Sequence, residues 1–93
     1  MALVVSPKIR DKLASKHQVS VDEVRQAFAD RPDYVVLDER EEHASDPPTV
    51  WFLACTDSGR LLKVVYVQRG SDIYLRTAYP PNPDEVRLFA EAQ

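Results

Sequence analysis

The second half of the chain combines basic and aromatic side chains in two neighbouring segments. The cations are Arg60, Lys63, Arg69 and Arg76, and the aromatic residues are Tyr66, Tyr74 and Tyr79. This mixture suits single-stranded RNA, because cations contact phosphates while aromatic rings stack on bases. The alternative is structural: Arg60 and Arg69 would be turn residues, and the tyrosines would belong to the core.

Cleavage of RNA without a metal needs three chemical roles. One group takes the proton of the 2′-OH, positive charge stabilises the phosphorane, and another group protonates the leaving oxygen. The candidates for charge stabilisation are Arg60, Lys63 and Arg76. His17 is the candidate for proton transfer, ahead of Tyr66 and Tyr79. His17 and its neighbour Lys16 also end a predicted helix, where a cation favours the helix dipole, which is a sufficient structural reason for both.

The segment from Asp38 to His43 is the most polar part of the chain. Asp38, Glu42 and His43 are the residue types that a small metal-dependent hydrolase would use. Adjacent residues of an extended chain point to opposite sides, so these side chains do not all converge. We therefore favour a solvated loop and expect neither a metal nor a cofactor. With one cysteine and two glycines, a cysteine-based zinc site and a Gly-rich phosphate loop are also excluded.

Three helices are predicted from capping residues and apolar spacing. The first spans about residues 6–17, with a serine cap and a proline at its first position. The second begins with a capping box at residues 20–23 and ends before Pro32. The third begins with a similar box at residues 82–85.

Four strands are predicted between the second and third helices: Tyr34–Glu39, Thr49–Thr56, Leu61–Gln68 and Ile73–Tyr79. Tight turns containing Gly59 and Gly70 join the last three, which makes them antiparallel neighbours. The predicted fold is α+β, a single domain over residues 1–93 with the order α-α-β-β-β-β-α. A four-stranded antiparallel sheet would carry the helices packed on one face.

The assumed turns set a register in which Lys63 lies opposite Ala54, and Val65 opposite Arg76. The face against the helices then carries Trp51, Leu53, Cys55, Leu62, Val64, Tyr66, Ile73 and Leu75. The other face carries Val50, Phe52, Ala54, Lys63, Val65, Val67, Tyr74, Arg76 and Ala78. That second face is more apolar than a solvated sheet face usually is. It either binds a partner or nucleic acid, or it is covered by the C-terminal segment or a second copy.

Length and charge exclude several classes of protein. The chain has 93 residues, too few for the large α/β barrels and dinucleotide-binding folds. Its net charge of −3 argues against general coating of duplex DNA. Residues 58–79 nevertheless hold four basic residues and one acidic residue. We see no secretory signal and no membrane span, and therefore expect a cytoplasmic protein that does not contact a membrane.

Several short motifs are found together in one order along the chain. They are Lys16-His17-Gln18-Val19-Ser20, Glu23-Val24, Ala27-Phe28, Asp38-Glu39-Arg40, Gly59-Arg60, Val64-Val65-Tyr66 and the stretch from Ile73 to Ala78. With a closing acidic helix, this pattern resembles the BrnT toxin family and the related DUF4258 small proteins, over about residues 12–90. The Lys-His-x-Val-Ser opening is its most specific part. Gln18 stands where the family usually has glycine, and Tyr79 where it usually has arginine.

The resemblance implies a fold similar to that of RelE and ParE toxins. It also implies a bacterial ribonuclease toxin of a type II toxin–antitoxin system, inhibited by a neighbouring antitoxin. The catalytic candidates are then His17, Arg60, Lys63 and Arg76. The RNA-binding candidates are Lys16, Arg69, Tyr66, Tyr74 and Tyr79. The alternative is a non-catalytic, DUF4258-like interaction module that binds a protein partner or homodimerises through its sheet face.

Overall fold

The computed structural model describes residues 2–38 and 47–93. Its elements are β1 (Leu3–Val4), α1 (Pro7–Lys12), a π-helical segment (Leu13–His17), α2 (Val21–Ala29), β2 (Val36–Leu37), β3 (Thr49–Cys55), β4 (Leu61–Arg69), β5 (Asp72–Tyr79) and α3 (Pro83–Ala92). We call α1 and the π-helical segment together helix 1. The predicted α+β class is confirmed. Within the described residues, no helix has the length and apolar character that a bilayer crossing requires.

Side-chain hydrogen bonds begin each helix at the predicted residue. The Ser6 hydroxyl accepts from the backbone N–H three residues on, at 3.2 Å. Ser20 and Glu23 exchange both bonds of a capping box at 3.1 Å. Asn82 and Glu85 do the same at 2.8 and 3.0 Å. Each box satisfies N–H groups that have no partner inside the helix, which is why the helices begin there.

The sheet has five strands in the order β1-β5-β4-β3-β2, and it is mixed. The prediction of a four-stranded antiparallel sheet is therefore wrong in its detail. β1 adds a parallel edge strand in which Leu3 faces Ile73 and Val4 faces Tyr74. Two residues are too few to show the alternation that marks a strand, so the sequence carries no signal for β1. Within the described residues, the predicted strand Tyr34–Glu39 is reduced to β2.

The hairpin between β3 and β4 differs by one residue from its predicted register. Lys63 lies opposite Leu53, whereas the prediction placed it opposite Ala54. The loop comprises residues 57–59, and a 2.9 Å backbone hydrogen bond joins the residues on either side of it. Gly59 has φ 85°, the left-handed conformation that closes a three-residue hairpin loop. One residue of slip turns every β3 side chain to the opposite face.

A β-bulge changes the second hairpin. β4 and β5 keep the predicted register from their turn as far as the pair Tyr66–Leu75. There β5 carries one extra residue, so Val65 lies opposite Thr77 and not opposite Arg76 as predicted. Arg76 is the residue left without a partner in the ladder. Bulges of this kind re-aim the side chains that follow them.

The core between the sheet and the first two helices follows from these two shifts. Its buried members are Leu13, Val19, Val24, Ala27, Phe28, Phe52, Ala54, Leu62, Val64, Tyr66, Ile73, Leu75 and Ala78. Phe52, Ala54 and Ala78 were predicted for the opposite face, and the register slip and the bulge explain the difference. The ring of Phe28 packs edge-on against Phe52 and Tyr66, at centroid distances of 5.1 and 5.4 Å.

The opposite face of the sheet is covered in part by α3. Trp51, Leu53 and Val65 form a second buried cluster there, and Phe89 of α3 packs against it. The Phe89 ring lies 5.7 Å from Trp51 and stacks on Tyr34 at 4.6 Å. The prediction that the helices pack on one face is therefore wrong. The C-terminal segment covers this apolar surface, which is one of the alternatives that the sequence left open.

Helix 1 ends in a strained residue. Gln18 has φ 50° and ψ 46°, the left-handed conformation. Its N–H and the N–H of Val19 both donate to the carbonyl oxygen of Leu13, which closes the wide π-helical turn. A residue with a Cβ atom pays roughly 1 kcal/mol for this conformation, whereas glycine adopts it freely.

Gln18→Gly should therefore raise the free energy of unfolding by about 0.5–1 kcal/mol. Urea denaturation followed by circular dichroism measures the change. Ala14→Gly is the matched control, since Ala14 is also exposed and lies one turn earlier in helix 1. The control should lose about 1 kcal/mol. Destabilisation by Gln18→Gly would contradict the account of strain at this turn.

Candidate functional site

His17 lies against an aromatic ring where helix 1 meets β5. β1 covers the edge of β5 only at Ile73 and Tyr74, and helix 1 packs along the strand beyond that point. The rings of His17 and Tyr79 have centroids 5.3 Å apart and planes tilted by 31°. His17 remains partly exposed. Its imidazole is therefore held against a ring and still open to a ligand.

A buried lysine and a glutamate hold Tyr79 in turn. The Nζ atom of Lys63 lies 2.5 Å from Oε2 of Glu85 and donates to Oη of Tyr79 at 3.3 Å. Tyr79 Oη donates to the same glutamate oxygen at 3.1 Å. The Lys63 Nζ also lies 4.6 Å from the ring centroid of Trp51, within range of a cation–π contact. The side chain of Lys63, which is 5 % exposed, is thus surrounded by a carboxylate, a hydroxyl group and an aromatic ring.

Glu85 remains ionised in this cluster. Burial by itself raises the pKa of its carboxyl, but several hydrogen bonds act against burial. These come from Lys63, the backbone N–H of Asn82 and the hydroxyl of Tyr79. Together with the charge of Lys63 they hold the pKa of Glu85 below its ordinary value. The ion pair is therefore intact at neutral pH.

The imidazole of His17 is biased towards its neutral form. Burial is the largest cause and lowers its pKa, because the charged form loses hydration. The positive charges of Lys12 and Lys16 lower the pKa of His17 further. A neutral imidazole at pH 7 can accept a proton, which is the state that a general base requires.

Arg60 binds the junction between helix 1 and α2. Its guanidinium donates to the carbonyl oxygens of His17 and Gln18 at 3.1 and 2.8 Å. It also forms an ion pair with Glu23 at 3.1 Å. Glu23 belongs to the α2 capping box, so one arginine ties the end of one helix to the start of the next. Most donors of Arg60 are directed at the protein itself.

Arg76 lines a groove of about 540 Å³ between helix 1 and β5. Lys8 and Lys12 contribute from helix 1, and Thr77 and Tyr74 from the strand. His17 lies about one turn beyond Lys12 along helix 1, and Tyr79 lies two residues beyond Thr77 along β5. The His17–Tyr79 contact is therefore next to the cationic groove.

Other predicted residues lie elsewhere. Tyr66 belongs to the helix-side core, and burial raises the pKa of its hydroxyl despite the charge of Arg31. Arg69 is the last residue of β4 and lies opposite Asp72 at the β4–β5 turn, which we call the far hairpin because it is at the opposite end of β5 from Tyr79. Lys16 is exposed beside His17 and acts on it electrostatically.

Three residues of the site were missed by the sequence reasoning. Glu85 was assigned only to helix capping, but its Oε1 accepts the capping bond while its Oε2 binds Lys63. Lys8 and Lys12 are four residues apart, a spacing that places them on one helix face and that marks a cationic stripe in the sequence.

The acidic candidates for a metal site are only partly described. Asp38 follows β2, whereas Glu42 and His43 lie outside the described residues. Across 2–38 and 47–93, no group of three or more His, Cys, Asp and Glu residues is placed to hold a metal ion.

The pKa of His17 can be measured by NMR titration of its imidazole. Its pKa should lie below 6.5, and Lys12→Gln should raise it because one of the two neighbouring charges is removed. Arg10→Gln, which removes a charge from the same helix, should raise it less. If the pKa of His17 were unchanged in Lys12→Gln, the charge of Lys12 in the groove would not act on His17, which would contradict this account.

The Lys63–Glu85 pair should contribute strongly to stability. Glu85→Gln should lower the free energy of unfolding at pH 7 by about 3 kcal/mol, since it leaves the buried ammonium group without a counter-charge. The folded-state pKa of Glu85 is depressed, so its contribution is present above the unfolded value near 4.5. It is lost as the pH falls through the lower folded value, and the difference between variant and wild type should shrink there.

A double-mutant cycle isolates this interaction. Lys63→Met combined with Glu85→Gln should cost at least about 1 kcal/mol less than the sum of the single changes. Arg87→Gln is the control, because the Arg87–Asp84 pair is largely exposed and should contribute less than about 0.5 kcal/mol. Additive single changes would show that the pair makes no net contribution.

The sequence matches no protein-family model and no curated protein.

Proposed function

We propose that this protein is the toxin component of a type II toxin–antitoxin system and acts as a metal-independent endoribonuclease. The observation that carries the proposal is the position of His17. Its imidazole, with a lowered pKa, packs on Tyr79 next to a groove lined by Lys8, Lys12 and Arg76. A base beside a cationic groove supplies two of the three roles that RNA cleavage without a metal requires, proton removal and charge stabilisation.

The reaction uses the 2′-OH of the RNA as the nucleophile. His17 takes the 2′-OH proton as the 2′-oxygen forms its bond to phosphorus. The bond from phosphorus to the 5′-oxygen breaks, and that oxygen takes a proton from solvent. The products are a 2′,3′-cyclic phosphate and a free 5′-OH, and no electron is gained or lost. Arg76 and Lys12 stabilise the negative charge that develops on the phosphorane.

The remaining candidates are given positioning roles. Lys63 is neutralised by Glu85, so its role is to hold the hydroxyl of Tyr79, and the ring of Tyr79 then orients His17. Arg60 acts at the backbone of His17 and fixes the end of helix 1. Lys63 and Arg60 therefore both act by positioning His17, and neither needs to contact RNA.

The motif resemblance supports the same proposal. Lys16 and His17 form its most specific motif, and Arg76 and Thr77 lie in its basic final strand. The proposal includes an antitoxin that is encoded by an adjacent gene. It also includes a cytoplasmic site of action.

Expression of the protein alone should arrest bacterial growth, and Arg76→Ala should relieve the arrest. The purified protein should cleave single-stranded RNA in excess EDTA, with cyclic phosphate at the new 3′ ends. His17→Gln and Arg76→Ala should each lower the rate by roughly 10²-fold or more. Arg69→Ala is the control, because Arg69 is an exposed arginine at the far hairpin, and it should retain full activity.

Undiminished growth with soluble, folded protein, together with intact RNA, would argue against an endoribonuclease. The same result with stable binding to the product of an adjacent gene would instead support the second candidate, a non-catalytic interaction module.

One observation favours that second candidate. A groove of about 700 Å³ lies between β2 and α3. Its lining includes the charged residues Asp38, Lys63 and Glu85 and the apolar residues Val35, Leu37 and Leu88, which are 43 %, 54 % and 51 % exposed. Among the described residues this is a surface of the kind that protein partners cover. A protein encoded by an adjacent gene would be its partner.

A further inference from the structure

The groove between helix 1 and β5 has a consistent positive charge. Lys8 and Lys12 are one helical turn apart and form one wall, and Arg76 comes from the β5 bulge. Its remaining lining residues are Val4, Ser6, Ile9, Thr49, Val65, Tyr74, Leu75 and Thr77. Over the described part of the chain, its lining therefore contains three cations and no carboxylate.

These cations differ from those that support the fold. Arg60, Lys63 and Arg87 each have an acidic partner within 3.1 Å. Among residues 2–38 and 47–93, Lys8, Lys12 and Arg76 form no ion pair and no side-chain hydrogen bond. Three like charges that converge without counter-charges repel one another, and an anion in the groove would relieve that repulsion.

A polar atom of the groove residue Thr77 also lacks a partner. The Thr77 hydroxyl oxygen is buried and makes no hydrogen bond within the described structure. Leaving such a group unpaired costs about 1–3 kcal/mol. Because Thr77 lines the groove beside Arg76, a bound phosphate could accept a hydrogen bond from this hydroxyl if the side chain rotates about χ1.

The groove also contains an aromatic side chain. Tyr74 lines it and is 38 % exposed, so its ring is available to a base. Unpaired bases stack on exposed rings, whereas bases inside a duplex are already stacked and paired. Proteins that bind single-stranded nucleic acids combine cations along the sugar–phosphate backbone with aromatic rings on which the bases stack.

We propose that this groove is a binding subsite for a single-stranded polynucleotide. Lys8, Lys12 and Arg76 bind successive phosphates, the Thr77 hydroxyl donates to one of them, and Tyr74 stacks on a base. The subsite holds the strand next to the bond that His17 would cleave. Only this last statement, and the identity of the strand as RNA, rest on the proposed function.

Binding can be measured without cleavage by using a DNA strand. A fluorescein-labelled oligothymidylate has no 2′-OH and cannot undergo the reaction, and its anisotropy reports binding. The logarithm of the affinity should fall with the logarithm of salt concentration with a slope of about −2, for three phosphate contacts on a single strand. Lys8→Gln combined with Lys12→Gln should reduce the magnitude of that slope by about 1.4.

Two controls test the location and the strand preference. Arg10→Gln combined with Arg25→Gln removes the same net charge at exposed helical residues that do not line the groove, and should leave the slope close to that of wild type. A duplex competitor should displace the oligothymidylate poorly. Equal effects of the two double variants, or equal competition by the duplex, would overturn the proposed subsite.

The two proposals fail in different ways. His17→Gln should bind oligothymidylate as wild type does. Binding with the predicted slope but without any RNA cleavage would leave the subsite standing and remove the endoribonuclease. RNA cleavage that depends on His17 but is insensitive to Lys8→Gln would remove the subsite and leave the endoribonuclease standing.

Discussion

The buried ammonium group of Lys63 is the constraint on which the rest of the structure depends. Removing such a charge from water costs several kcal/mol unless a counter-charge and hydrogen bonds accompany it. Glu85 supplies the counter-charge, and because Glu85 belongs to α3, the helix is drawn onto the sheet face opposite the other helices. The same carboxylate oxygen accepts from Tyr79, whose ring supports His17. This charge pair therefore contributes both to the packing of the C-terminal helix, together with the contacts of Phe89, and to the position of the candidate base His17.

Among the described residues, some cations support the fold and others line a groove. Paired cations hold elements together, as Arg60 does between helix 1 and α2. Three described cations that form no ion pair, Lys8, Lys12 and Arg76, line one groove. A net charge of −3 conceals this arrangement, because the sum over the chain says nothing about where charges lie. The β5 bulge contributes to it directly, since it is the extra residue Arg76 that joins the groove.

Local signals predicted the helices well and the sheet faces poorly. Capping boxes act within four residues, so the starts of α2 and α3 could be read from Ser20 and Asn82. A shift of one residue in register changes which face of the sheet a side chain occupies. Here the register is set by the turn at the left-handed Gly59 and by the bulge at Arg76. Of the candidate site, His17, Lys63, Arg76 and Tyr79 could be named from residue type. Their grouping could not, because the ion pair with Glu85 joins residues whose connection only the three-dimensional fold reveals.

The pairing of β1 with β5 has a consequence for synthesis. It joins residue 3 to residue 73, and helix 1 packs against β5 just beyond that pairing. Contacts so distant in the chain form only after the intervening loop has closed, and they are slow steps in folding. On the ribosome, the residues of β5 emerge long after those of β1. A nascent chain therefore lacks the groove until β5 has emerged, so any activity that depends on the groove is delayed until then.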